Sequence, residues 1–66
     1  MGQNVWKFLR LEDGTYAVYH RGKRLAEGIA AEWREKEFCV RWGFCDEECS
    51  EIIRQLDASG ECTLVL

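Results

Sequence analysis

Large apolar side chains recur at nearly every second position between Val5 and Phe44, and beyond Phe44 the recurrence lengthens to three and four. A period of two marks strands with one buried face, whereas a period near 3.6 marks an amphipathic helix. The strongest local signal is LRLEDGTYAVY, where Asp13-Gly14 lies between β-rich runs. A type I′ turn needs two residues that tolerate positive φ, so a hairpin is predicted with Asp13 and Gly14 as its loop. That register sets Leu11 opposite Tyr16, Leu9 opposite Val18 and Phe8 opposite Tyr19. In HRGKRL a second turn at Arg21-Gly22 pairs Val18 with Leu25 and Tyr19 with Arg24, completing a three-stranded meander.

Alternation continues through Leu25, Ile29, Ala31 and Trp33, reverses at Glu35-Lys36, and resumes with Phe38, Val40, Trp42 and Phe44. Glu32, Arg34, Glu37 and Arg41 fill the intervening positions, as on a solvated face. Gly28 marks a bend or bulge. The stripe Cys45, Cys49, Ile52, Ile53 and Leu56 predicts a helix from about Asp46 to Ala58, with Asp46 as cap, acids in the first turns, and Ser59-Gly60 as the left-handed stop. The terminal ECTLVL reads as a short strand, and a returning helix would let it run parallel to Phe38–Phe44.

The predicted fold is α+β: a twisted antiparallel β-meander of four to five strands with one helix on one face and a short C-terminal strand. Residues 1–66 form a single small domain. The expected core is Leu9, Leu11, Tyr16, Val18, Leu25, Ile29, Trp33, Phe38, Val40, Trp42 and Phe44 against Ile52, Ile53 and Leu56.

Composition bears on how such a domain survives. At 66 residues, 47% of them apolar, with three Trp, three Phe and two Tyr, the chain has the material for a dense core but a thin margin of stability. Dimerisation is one way to widen it. MGQNVWKF contains no apolar run of signal-peptide length, and no stretch approaches the ~20 apolar residues of a membrane helix. The expectation is a cytoplasmic protein away from membranes, with reduced thiols.

Three of the four cysteines fall within FCVRWGFCDEEC. The full spacing, C-x5-C-x3-C-x12-C, lacks the C-x2–4-C knuckle that brings two thiolates onto one zinc ion. With Cys39 in a strand, ~20 Å of extended chain would separate it from Cys45. Zinc or a disulfide involving Cys45, Cys49 and Cys62 stays conceivable, but small core residues are the preferred reading. A catalytic thiol is disfavoured by Asp46, Glu47 and Glu48, whose charge opposes thiolate formation. No cofactor or metal site is expected.

With Leu9, Leu11, Tyr16 and Val18 turned inward, the opposite face carries Trp6, Phe8, Arg10, Ala17, Tyr19 and Arg21, with Arg24 beside Tyr19. Aromatics and arginines are enriched at interfaces, because rigid rings bury area at low entropy cost and guanidinium groups both stack and donate. Trp6, Phe8, Arg10, Tyr19, Arg21 and Arg24 are therefore the candidate binding residues, unless this face is itself a covered second core. Residues 1–30 hold five Lys or Arg against three acids, and residues 31–66 hold four against nine, giving the overall charge of −3. A protein partner fits this better than nucleic acid, whose phosphates call for a basic stripe. The acidic run DEECSE complements a helix N-terminus without any partner; its alternative use is to dock on a basic, nucleic-acid-binding protein. No nucleophile–base pattern or glycine-rich phosphate loop occurs, and so short a chain offers little room for a ~300 Å3 pocket, so a non-enzymatic interaction module is expected.

Overall fold

The first hairpin closes with a three-residue loop in place of the expected two, and this one residue decides which side chains are buried. In the computed structural model, which describes residues 4–66, the Leu11 N–H donates to the Thr15 carbonyl at 2.7 Å and the Gly14 N–H to the Leu11 carbonyl at 3.0 Å. Asp13 is not among the residues with positive φ, whereas Gly14 has φ 85°. This is a type I turn followed by a left-handed glycine. Thr15 explains the choice, since both its N–H (3.0 Å) and its hydroxyl (2.6 Å) donate to Asp13 Oδ1, holding Asp13 in ordinary turn geometry. Met1, Gly2 and Gln3, part of the stretch read for a leader, lie outside the described residues.

Strand β1 (Val5–Arg10) consequently meets β2 (Tyr16–His20) with Phe8 opposite Val18, Leu9 opposite Ala17 and Lys7 opposite Tyr19. The expected pairs Phe8–Tyr19, Leu9–Val18 and Leu11–Tyr16 do not form. A slip of one residue exchanges the two faces of a strand, so Phe8 turns inward and Leu9 outward. The second turn behaves as expected: Arg21 (φ 53°) and Gly22 (φ 79°) both take positive φ, and Tyr19 pairs with Arg24. Along β3 (Lys23–Ile29) the register shifts, setting Val18 opposite Ala26 instead of Leu25 and Tyr16 opposite Ile29. Gly28, with φ 76°, lies in that irregular stretch, as the bulge reading requires.

The largest correction concerns residues 31–44. The expected strands are absent; the chain makes a 3-10 turn (Ala31–Trp33), one α-helical turn, α1 (Arg34–Lys36), and a π-helical turn (Glu37–Arg41). Ala31, Glu32, Arg34, Glu35, Lys36 and Glu37 are mostly strong helix formers, and Arg41 bonds Glu37 one turn back at 3.2 Å. Phe38 is fully buried and Trp42, four residues on, is half-buried against the same core, while Trp33 and Val40 stand 52% and 74% exposed. The segment is tied down by Arg34, which donates to Tyr16 Oη and to Asp57 Oδ1, each at 2.7 Å, and to Asp57 Oδ2 at 3.2 Å. Gly43 (φ 74°) then reverses the chain into Phe44.

Helix α2 spans Asp46–Ser59, one residue longer than expected, and its N-cap is Cys45 instead of Asp46. Glu48 Oε1 accepts from the Cys45 N–H at 3.0 Å. Gly60, at φ 82°, ends the helix and donates to the Leu56 carbonyl at 2.8 Å. Strand β4 (Glu61–Val65) runs antiparallel to β1, with Phe8 opposite Cys62, and not parallel to residues 38–44. The sheet order is β3-β2-β1-β4.

Phe8, Tyr16, Val18, Ile29, Phe38, Phe44, Cys49, Ile52, Leu56 and Cys62 form the core, edged by Trp6, Ala26, Cys39, Trp42, Ile53 and Leu64. Leu9, Leu11, Leu25, Trp33 and Val40, all expected inside, lie outside it. Among the described residues no helix is long and apolar enough to cross a membrane.

Candidate protein-binding surface

The helical elements draw the core to one side of the sheet, and among the described residues no element covers the other side. Register fixes what that side carries: Val5, Lys7 and Leu9 from β1, Ala17 and Tyr19 from β2, Arg24 beside Tyr19, and Glu61, Thr63 and Val65 from β4. Lys7 stands between Tyr19 and Thr63, and Val5 next to Val65. Val5, Lys7, Leu9, Tyr19 and Gly22 line an open hollow of about 290 Å3. Ala17 is fully buried yet outside the core cluster, as befits a methyl group set between larger neighbours. Tyr19 stands between two cations, Lys7 and Arg24, with Val5 and Leu9 to either side of Lys7 along β1; Arg24 shares its charge with Glu27 at 3.2 Å in an exposed pair that adds little stability.

The six residues singled out from the sequence are not brought together. Phe8 is fully buried beneath the helices, with Phe38 and Phe44 against it at ring separations of 4.9 and 5.7 Å. Trp6 is half-buried on the same side, stacked on His20 at 4.0 Å and edge-on to Phe44 at 4.9 Å; its indole N–H is buried without a partner among the described residues. Arg10 is exposed at the far end of β1, its guanidinium beside Gly60. Arg21 occupies the tip of the second turn. Tyr19 and Arg24 alone keep the expected place, as cross-strand neighbours on the helix-free face. Val5, Lys7 and Leu9 take the places expected of Trp6, Phe8 and Arg10 because the loop holds one residue more than the Asp-Gly dipeptide predicts.

A second exposed group lies on residues 31–41. Trp33, Lys36, Glu37, Val40 and Arg41 line an open hollow of about 190 Å3, with the Lys36 ammonium 5.4 Å from the Trp33 ring centre. Reading this stretch as strand hid the group; the Glu37–Arg41 spacing of four was the signal that could have found it.

The thiols also fall differently from expectation. Cys49 and Cys62 are buried as predicted, Cys45 is exposed at the head of α2, and Cys39, assigned to a strand away from the others, is packed near Cys49. Glu35, Lys36, Cys39, Asp46, Cys49 and Ser50 surround an open hollow of about 420 Å3, so concavities of the volume thought unavailable do occur on this small surface. Burial, reinforced by the adjacent Cys39 thiol and the charges of Glu35 and Asp46, pushes the Cys49 thiol up to about 12. Its sulfur faces the Glu35 carbonyl at 3.9 Å. At neutral pH Cys49 is therefore a protonated, shielded thiol. Among the described residues no group of three or more His, Cys, Asp or Glu side chains is placed to hold a metal ion.

No family model matches the chain, and neither the curated proteins nor the solved structures offer one that is significantly similar to it.

Proposed function

We propose that this domain is a non-enzymatic protein-binding module whose contact surface is the helix-free face of the sheet. Val5, Leu9 and Tyr19 supply the apolar area, and Lys7 and Arg24 the charges on either side of Tyr19. The carrying observation is that Tyr19, bracketed by Lys7 and Arg24 and with Val5 and Leu9 beside it, lies on a four-stranded sheet face that no described element of the chain crosses. Tyrosine suits that place because its ring buries area at low entropy cost while its hydroxyl stays available to a partner. A standard interface of about 800 Å2 per partner would take roughly one fifth of this chain's 4488 Å2 of accessible surface. Trp6 and Phe8 drop out of the contact set because helices cover their side of the sheet. Lys7 and Arg24, with Arg21 at the turn beside Val5, are too few cations for phosphate-driven affinity, so a protein partner remains favoured over nucleic acid.

Site-specific photo-crosslinking in host extract tests this. A benzophenone side chain at position 19 is expected to yield a discrete adduct, competed away by excess unmodified protein but not by the Leu9→Asp variant. The same probe at position 33 should give none. An adduct at position 33 with nothing at position 19 would move the function to the 31–41 segment.

A further inference from the structure

We infer that β4 is the seam of a homodimer, its free edge pairing antiparallel with that of a second copy across a two-fold axis at Leu64. The two edges of the sheet are built differently. β3 carries exposed Lys23, Arg24 and Glu27, a left-handed glycine at position 28 and two register shifts, the devices by which sheet edges avoid pairing with other chains. β4 carries one exposed charge, Glu61 at its start; beyond it the register against β1 is unbroken and the side chains of Cys62, Thr63, Leu64, Val65 and the following Leu66 are uncharged. Val65 and Leu66 are 56% and 55% exposed.

The backbone of β4 is arranged to match itself. Arg10 N–H to Gly60 O (2.8 Å) and Leu66 N–H to Asn4 O (2.9 Å) frame its pairing with β1. Because bonding directions alternate along an antiparallel strand, the even-numbered residues bond inward, and Glu61, Thr63 and Val65 direct N–H and C=O outward. The Glu61 carbonyl already accepts from Ser59 Oγ at 3.2 Å. Thr63 and Val65 are left with two donors and two acceptors. With Leu64 opposite Leu64 of the second copy, each Thr63 faces the other chain's Val65, and each such pair exchanges both bonds, so all of these groups are satisfied.

Side chains fit the same register. Leu64, half-buried at the margin of the core, meets its equivalent and joins the two cores, while Thr63 and Val65 alternate on the helix-free face. Within the stretch Cys62–Leu66 that pairs with itself there is no charged side chain, so no like-charged side chains oppose each other there. On the helical side, Glu51 is close enough to help raise the Cys62 thiol, and its carboxylate accepts from Arg54. That part of α2 thus carries a neutralised pair instead of a net charge to repel its symmetry mate. The seam is distinct from the proposed binding face and stands without it, though it would join the two faces edge to edge through Val65.

Sedimentation velocity combined with amide hydrogen exchange tests the seam. The wild type is expected to sediment at twice its 7.7 kDa mass, with the Thr63 and Val65 amides slowed at least about tenfold as concentration rises through the dimerisation range. Thr63→Pro removes an outward-pointing donor that the monomer does not use, and should give a monomer with an unchanged far-UV circular dichroism spectrum. A synthetic chain N-methylated at Val65 makes the same change without the proline ring and decides the matter should Thr63→Pro fail to fold. Leu9→Asp should stay dimeric, separating the seam from the binding face. A wild type that remains monomeric up to its solubility limit with both amides unprotected, or a dimer that survives N-methylation at Val65, overturns the inference.

Discussion

Replacing Phe8 and Leu9 in turn distinguishes the two hairpin registers by their energies. Phe8 has no exposed surface and lies against three rings: Phe38 at 4.9 Å, Phe44 at 5.7 Å and Trp6 at 6.5 Å. Truncating a buried Phe to Ala costs about 3–5 kcal/mol, and aromatic pairs of this geometry add ~0.5–1.5 kcal/mol beyond area burial, which places Phe8→Ala in the upper part of that range. A 66-residue domain holds roughly 3–10 kcal/mol in total. Phe8→Ala should therefore leave much of the population unfolded, and Phe8→Leu, at ~1–3 kcal/mol, is the variant to titrate. Leu9, half-buried on the helix-free face, should cost only ~1 kcal/mol on truncation to Ala, about half the value of a fully buried side chain. Urea unfolding followed by tryptophan fluorescence and circular dichroism reads the difference as a midpoint shift at constant slope. A larger loss from Leu9→Ala than from Phe8→Ala would refute the observed register, since the expected one reverses their roles.

Other outcomes follow from individual contacts. Arg34→Met, which removes a mostly buried clamp on Tyr16 and Asp57, should cost about 1–3 kcal/mol and lower the melting temperature, whereas Arg54→Met, breaking an exposed pair, should change stability by less than ~0.5 kcal/mol in the same melt. Arg21→Asn relieves a left-handed non-glycine residue at a two-residue turn and should stabilise by a few tenths to ~1 kcal/mol, visible as a higher urea midpoint. Cys49 releases its proton near 9 when unfolded and near 12 when folded; its contribution is complete below pH 9 and falls by ~1.4 kcal/mol per pH unit between those values. Over that alkaline window the wild type should lose stability faster than Cys49→Ala, measured by urea unfolding at stepped pH. Alkylation at neutral pH followed by mass mapping should modify Cys45 first and Cys49 last.

Local signals with an unambiguous chemical cause were legible in the sequence. Arg21-Gly22, the end of α2 at Gly60 and the bulge near Gly28 each depend on a glycine taking positive φ, and all three occur where a glycine permits it. The stripe of Cys49, Ile52 and Leu56 likewise announces the buried side of α2. The first hairpin was misjudged because Asp-Gly suits two loops, and the choice between them rests on Thr15, whose donors to Asp13 lie outside the dipeptide. That single step carried Phe8 inward and Leu9 outward, and so misplaced most of the candidate site. Residues 31–41 were misjudged because Phe38, Val40, Trp42 and Phe44 satisfy a period of two by coincidence. Phe38 and Trp42 are the pair that packs inward, while Val40 faces solvent. Their helical fate is set by the residues before them and by Arg34, which reaches partners 18 and 23 positions away.

The central claim, that the β1–β2 register buries Phe8 and Val18 and leaves Val5, Lys7, Leu9 and Tyr19 on the free face, is tested most directly by cross-strand nuclear Overhauser contacts between α-protons. The Arg21 N–H to Val5 O bond makes the odd-numbered residues of β1 the hydrogen-bonded members, so the close α-proton pairs fall on the even ones. Strong contacts are expected for Phe8–Val18, Trp6–His20 and Arg10–Tyr16. Contacts linking Phe8 to Tyr19 or Leu9 to Val18 in their place would contradict the account.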